Sequence, residues 1–233
     1  MTLELTAAAV LVAVPILFNL AFLELGRTFD YPSILRQPPE VILRRFHAGG
    51  TGLVLRWQAL LSSAAAMLAL VVLVAAALDA SPVLTLGSLL VGGAAAIVQM
   101  LGLARWPFLV PELARRHVAA PKGPAGDATR EAVEITFVAV HRLLGIGIGE
   151  HLGYLLTGAW TLLVAASIAS TQVLPGWLGL LGVPIGLGIL VGALEFVGPN
   201  EGDGWPIAGR VVPVAYIAWS LWLVALGVAL ALS

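Results

Sequence analysis

Six long apolar stretches run along the chain, at about 5–24, 53–79, 82–104, 147–170, 176–197 and 207–231, and polar residues gather between them. Each stretch reaches the roughly 20 residues that a helix needs to cross bilayer hydrocarbon. Pro15, Pro184 and Pro213 fall inside three of them. A membrane helix tolerates an internal proline because neighbouring helices satisfy the freed carbonyls. The expected fold class is therefore all-α: one polytopic integral membrane bundle over 1–233, with loops at 25–52, 105–146 and 198–206.

The third loop carries its own signal. ELARRHVAAPKGPAGDATREAVE is polar with a Pro/Gly-rich middle, and Asp127 or Thr129 suits a helix N-cap, with Glu131 in the first turn. A helix starting there and running through His141 into the fourth span would be about 60 Å long, too much for one straight crossing. A bend is expected near Gly145, Gly147 and Gly149.

Composition agrees with this pattern. Of 233 residues, 60% are hydrophobic and 11% charged, where a soluble domain carries about a quarter charged. Apolar helix surface is costly to expose in water and free to expose in lipid. The absence of cysteine excludes disulfides, thiolate chemistry, Cys-ligated zinc and iron–sulfur clusters. The N-terminal MTLELTAAAVLVAVP lacks a basic n-region and reads as a retained first span.

Charge adds orientation. All twelve lysines and arginines lie in or beside the first, third and fifth loops; LDASP, STQVLPGW and both termini have none. By the positive-inside rule the odd loops are cytoplasmic and both termini lie outside, a multi-pass arrangement in the cell membrane. No internal repeat of the inverted-transporter kind is visible.

Polar residues at membrane depth are expensive and usually face a partner, a cavity or a ligand. On this topology they fall on the cytoplasmic half: Glu24, Arg56, Gln58, Gln99, Arg105, His141, Arg142, Glu150, His151, Tyr154 and Glu195. One-sidedness of this kind suggests a pocket open to the inner leaflet rather than a path across the membrane. The densest run is HRLLGIGIGEHLGYLLTGAW, in which Glu150 and Tyr154, four apart, share a helix face. Gly149 and Gly153 make a small-xxx-small pair for close helix approach. If the pocket is catalytic, Glu150 is the acid/base, with His151 and Tyr154 beside it. Arg56, Arg105, Gln99, Glu195, His141 and Arg142 would then bind substrate. The competing reading makes Glu150 an ion-pair partner of Arg56, Arg105 or Arg142 and needs no chemistry.

The remaining features are less specific. His141 and His151 are about 15 Å apart along an unbroken helix, and no HExxH or ExxH pattern occurs, so no metal site is expected. No cofactor is indicated. Arg105-Trp106-Pro107 fits an interfacial anchor, with Trp106 at headgroup depth and Pro107 ending the span, or else an arginine grip on a lipid phosphate. His47 and His117 are expected in solvent. Gly182, Gly186, Gly188 and Gly192 suit helix packing, and Asn200, Glu201 and Asp203 form an acidic turn unlike an EF-hand loop.

LGRTFDYPSILRQPPEVILRRFHAGGTGLVLRWQAL, ARWPFLVPELA and HRLLGIGIGEHLGYLLTGAW together resemble a bacterial family of multispan membrane proteins known as a domain of unknown function, number forty-three eighty-six. The resemblance implies a six-helix membrane domain and brings no activity with it. On the residues themselves, the leading expectation is an inner-leaflet polar pocket that binds or acts on a lipid-like or small anionic molecule. The alternatives are a transporter or channel, and a non-enzymatic oligomeric scaffold. The sequence does not decide whether the protein is an enzyme. Membrane lipids are the expected partners, nucleic acid is not, and self-association is left open.

Overall fold

A computed structural model describes residues 2–233, which are helical almost throughout. The helices are α1 (Leu3–Phe29), α2 (Pro39–Leu78), α3 (Pro82–Phe108), α4 (Val110–Ala119), α5 (Pro124–Val140), α6 (Gly153–Ser170), α7 (Gly176–Gly192) and α8 (Pro206–Leu232). A π-helical segment, His141–Leu152, joins α5 to α6. Six of these pack as a ring in the order α1, α2, α3, α6, α7, α8, which closes on α1. Leu90, Leu180, Val214 and Leu221 stand exposed on its helices, as they must where the surrounding solvent is lipid. The chain is a polytopic membrane helical bundle.

Several boundaries differ from the sequence reading. Five helical stretches are long and apolar enough to cross a membrane, whereas α7 has 17 residues and stops at Gly192, not 197. The apolar pattern continues beyond it, but Ala193, Leu194 and Glu195 form tight turns, and the Trp205 N–H closes the loop by donating to the Glu195 carbonyl at 2.6 Å. Helix α2 begins fourteen residues before the expected span, at Pro39 rather than 53. Its axis breaks at Gly50, where φ is +52°, a conformation that strains any residue with a side chain. Helix α5 starts at Pro124 with Gly123 at the N-cap, so neither Asp127 nor Thr129 caps it. Where a bend is expected at the glycines, the helix instead runs on from Pro124 to Ser170, its turns widened to π over His141–Leu152.

Two cores result. The larger lies within the ring and contains Trp160, Trp219 and Trp222. Each indole N–H there is satisfied: Trp160 by Ser88 Oγ at 3.0 Å, Trp219 by Thr161 Oγ1 at 2.9 Å and Trp222 by the Leu178 carbonyl at 2.8 Å. Deeper polar side chains are thus engaged with one another; Asn19 likewise donates to Ser220 Oγ at 2.9 Å. Thr161→Val would strand the Trp219 N–H and should cost about 1–2 kcal/mol. Reversible unfolding in mixed detergent measures this, and a cost near zero would mean that water or lipid replaces the bond.

The second core sits at the end of the ring where the basic loops lie. It gathers Phe29, Phe46, Trp57, Trp106 and Phe137, with Val110, Leu113 and Ala114 from α4. Helix α4 is amphipathic at the i, i+3, i+4, i+7 spacing. Val110, Leu113, Ala114 and His117 face inward, while Glu112 pairs with Arg115 and Arg116 on the outside at 2.5 and 2.6 Å. His117, expected in solvent, is buried and bonds Glu134 of α5 through Nε2 at 2.8 Å. Trp106 is no headgroup anchor: it is fully buried, and α3 runs through Pro107 to Phe108. Proline at that point removes one backbone donor without ending the helix.

Candidate functional site

Between the Tyr31–Pro39 turn, the π segment, the turns after α7 and the start of α8 lies a cavity of about 730 Å³. Of the residues singled out in the sequence, Glu150, Tyr154, His141, Arg142 and Glu195 line it. Their neighbours are Ser33, Arg36, Gln37 and Asp203, with apolar walls from Ile42, Phe137, Val138, Ile146, Phe196, Val212 and Pro213.

Each polar side chain has a local cause for its position. The π segment carries three glycines in five residues, Gly145, Gly147 and Gly149, and glycine holds an α-helix weakly. Its turns are wider than α: the Gly153 N–H reaches back to the Ile148 carbonyl, five residues away. Gly149 lies backbone to backbone on Gly102 of α3; a Cβ at Gly102 would sit 2.6 Å from the Gly149 Cα. Glu150 follows directly and is carried to the cavity wall. One turn later the Tyr154 ring rests on Gly192 and lies 5.7 Å from the Tyr216 ring.

Four expected site residues lie elsewhere. Arg105 is buried behind the cavity against Gly145, donates to the Gly102 carbonyl and has an Nη2 3.4 Å from His141 Nδ1. Because a guanidinium only donates, that His141 nitrogen is the acceptor. Arg56 pairs with Glu24 at 3.9 Å. Gln99 donates to Thr157 Oγ1 at 2.9 Å. His151 donates from Nδ1 to the Ala193 carbonyl at 2.6 Å, which ties the end of α7 to the π segment. That bond holds the turn bearing Glu195, so His151 positions a cavity carboxylate rather than lining the cavity itself.

The charges around the cavity are unbalanced. Arg142 is engaged by Glu201 at the rim. Glu150, Glu195 and Asp203 have no ion pair among the described residues, and Arg36 has none either. Glu195 is 9% exposed, and burial holds its carboxyl above the usual range, with Arg36 opposing. Burial, reinforced by the Glu150 charge, pushes the Tyr31 hydroxyl up to about 12, so it remains a donor at neutral pH. No group of three or more histidines and carboxylates among the described residues is close enough to hold a metal ion.

The sequence reading missed Arg36, Ser33 and Gln37 as site residues. Their only local mark is the proline-rich frame of YPSILRQPP, which signals a stiff turn and not where that turn folds back.

The segments ARWPFLVPELA and HRLLGIGIGEHLGY meet in space, with Gly102 and Arg105 against Gly145 and Gly149. A family described as a domain of unknown function, DUF4386, matches residues 6–227. The chain belongs to this family. The DUF4386 match takes in α2, α3, α6 and α7 whole, most of α1 and α8, and every residue lining the cavity. No curated protein and no solved structure matches the chain.

Proposed function

We propose that this DUF4386 protein binds, and if it is an enzyme acts on, a lipid-like molecule whose polar head enters the cavity from the cytoplasmic side. The observation that carries the reading is the state of Glu150. It lines a cavity of about 730 Å³ with mixed polar and apolar walls, and Arg56, Arg105 and Arg142, its three expected ion-pair partners, make their contacts with other groups. A carboxylate kept at membrane depth without a structural partner is a site residue by default. The cavity size suits a head group and the start of its chains.

In this reading Glu150 is the hydrogen-bonding or acid/base group, with Tyr154 beside it on the same wall. Arg36 stands where an anionic part of the ligand would be held, while Arg142 is engaged by Glu201 at the rim. Arg56, Arg105 and Gln99 support the framework. The positive-inside assignment of the basic loops, and hence the inner-leaflet opening, belongs to the same proposal.

Native mass spectrometry of the protein released from lipid nanodiscs tests it. The wild type should retain a defined lipid, and Glu150→Gln should lower that retention about tenfold, as expected for one charge-assisted hydrogen bond. Bare polypeptide from both proteins would instead leave a scaffold whose polar residues serve packing alone.

A further inference from the structure

The charge balance of the cavity says more about its ligand than its size does. Three carboxylates face it, from Glu150, Glu195 and Asp203. Of the two lining arginines, Arg142 is already taken by Glu201, which leaves Arg36 at the mouth. Glu195 is the sharpest part of this imbalance. The residue is 9% exposed, its carboxylate opens on the cavity, and no hydrogen bond or ion pair satisfies it among the described residues. A carboxylate held in such a wall without a donor leaves a charge that a bound cation would compensate. Metal ions are poor candidates, since no third ligand lies close enough. An ammonium group, with three N–H donors and a compact charge, meets both carboxylates better.

We infer that the cavity selects a head group carrying a primary ammonium a few bonds from an oxyanion, with the ammonium against Glu195 and Glu150 and the oxyanion on Arg36. This rests on the reading of the cavity as a head-group site and narrows it from any amphiphile to a zwitterionic one. The chemistry is that of phosphoethanolamine, whether as the head of a membrane phospholipid or as a free molecule. A purely anionic head group would meet Arg36 but would bring its charge against three carboxylates.

The test uses the full chain in nanodiscs of equimolar dioleoyl phosphatidylethanolamine and dioleoyl phosphatidylglycerol, with retained lipid read by native mass spectrometry. The wild type should keep the ethanolamine lipid in about tenfold preference. In discs where phosphatidylcholine replaces phosphatidylglycerol, the ethanolamine lipid should again be favoured, because a trimethylated nitrogen has no N–H to donate. This arm needs no variant. The double substitution Glu150→Gln, Glu195→Gln, checked for an unchanged melting midpoint, should retain the ethanolamine lipid about tenfold less and so lose the preference over either comparison lipid. Equal retention of both lipids by the wild type, or a preference that survives the double substitution, overturns the inference while leaving a lipid site. No retained lipid of any kind overturns the head-group reading and this inference together. Soluble O-phosphoethanolamine added to the detergent-purified protein separates the two sources. Displacement of the retained lipid marks the free molecule as the ligand, and retention in its presence marks the phospholipid; both support the ammonium–oxyanion chemistry.

Discussion

Trp106→Ala should lower stability by about 3–5 kcal/mol, the range for removing a large aromatic from a packed core. Trp106 is fully buried and stacks on Trp57 with centroids 4.3 Å apart and planes 9° from parallel. It also meets Phe29 at 5.7 Å, Phe46 at 5.8 Å and Phe137 at 6.3 Å. These partners come from α1, α2 and α5, so one side chain fastens three elements to α3. Its ring lies 5.2 Å from the Arg105 guanidinium carbon, a contact worth up to about 2 kcal/mol when water is excluded. The indole N–H has no partner in the structure, so Trp106→Phe loses no hydrogen bond there and should restore most of the stability. Denaturation in detergent with increasing SDS measures both variants. A loss below about 1 kcal/mol for the alanine variant would show that the aromatic cluster packs loosely.

That cluster marks the limit of what the sequence revealed. Apolar stretches of about 20 residues exposed the membrane helices directly, because length and hydropathy are local properties. Trp106 beside Arg105 carries the local mark of an interfacial anchor, and only the fold brings Phe29, Phe46 and Phe137 around it from three separate segments. Helix α7 shows the opposite limitation. Hydropathy stays high from Gly176 to Val197, so composition cannot distinguish the helix from the tight turns that follow Gly192.

The candidate site divides in the same way. Glu150 and Tyr154 were legible together because their spacing places them on one face, and both line the cavity. The surplus of arginines made an ion pair for Glu150 equally readable. It does not form because Arg56 lies near Glu24, Arg142 near Glu201, and Arg105 turns to a backbone carbonyl. Each of those choices depends on tertiary distance. Arg36, in turn, counted in the sequence only toward loop charge, and it reaches the cavity because the turn at Ser33–Arg36 folds over the ring.

Gly102→Ala should be severe for a substitution that adds one methyl group. The new Cβ would stand 2.6 Å from the Gly149 Cα and 2.9 Å from the Leu144 carbonyl oxygen. Both are backbone atoms that no rotamer change can move, so α3 and the π segment must separate. Overpacking of this kind costs about 1–3 kcal/mol and at times more. The damage should also reach the cavity, since Glu150 is bonded to the displaced Gly149. Lipid retention should therefore fall in the fraction that remains folded. Gly149→Ala meets the same interface at 3.1 Å and should be milder. Gly93→Ala, on α3 with nothing within 4 Å of the added carbon, should be neutral or stabilise by about 0.5–1 kcal/mol through helix propensity. The expected order of melting midpoints in one detergent is thus Gly93→Ala at or above wild type, then Gly149→Ala, then Gly102→Ala. If Gly102→Ala melted with the wild type, the two backbones would not be in contact, and the cavity would need another explanation for how Glu150 is held.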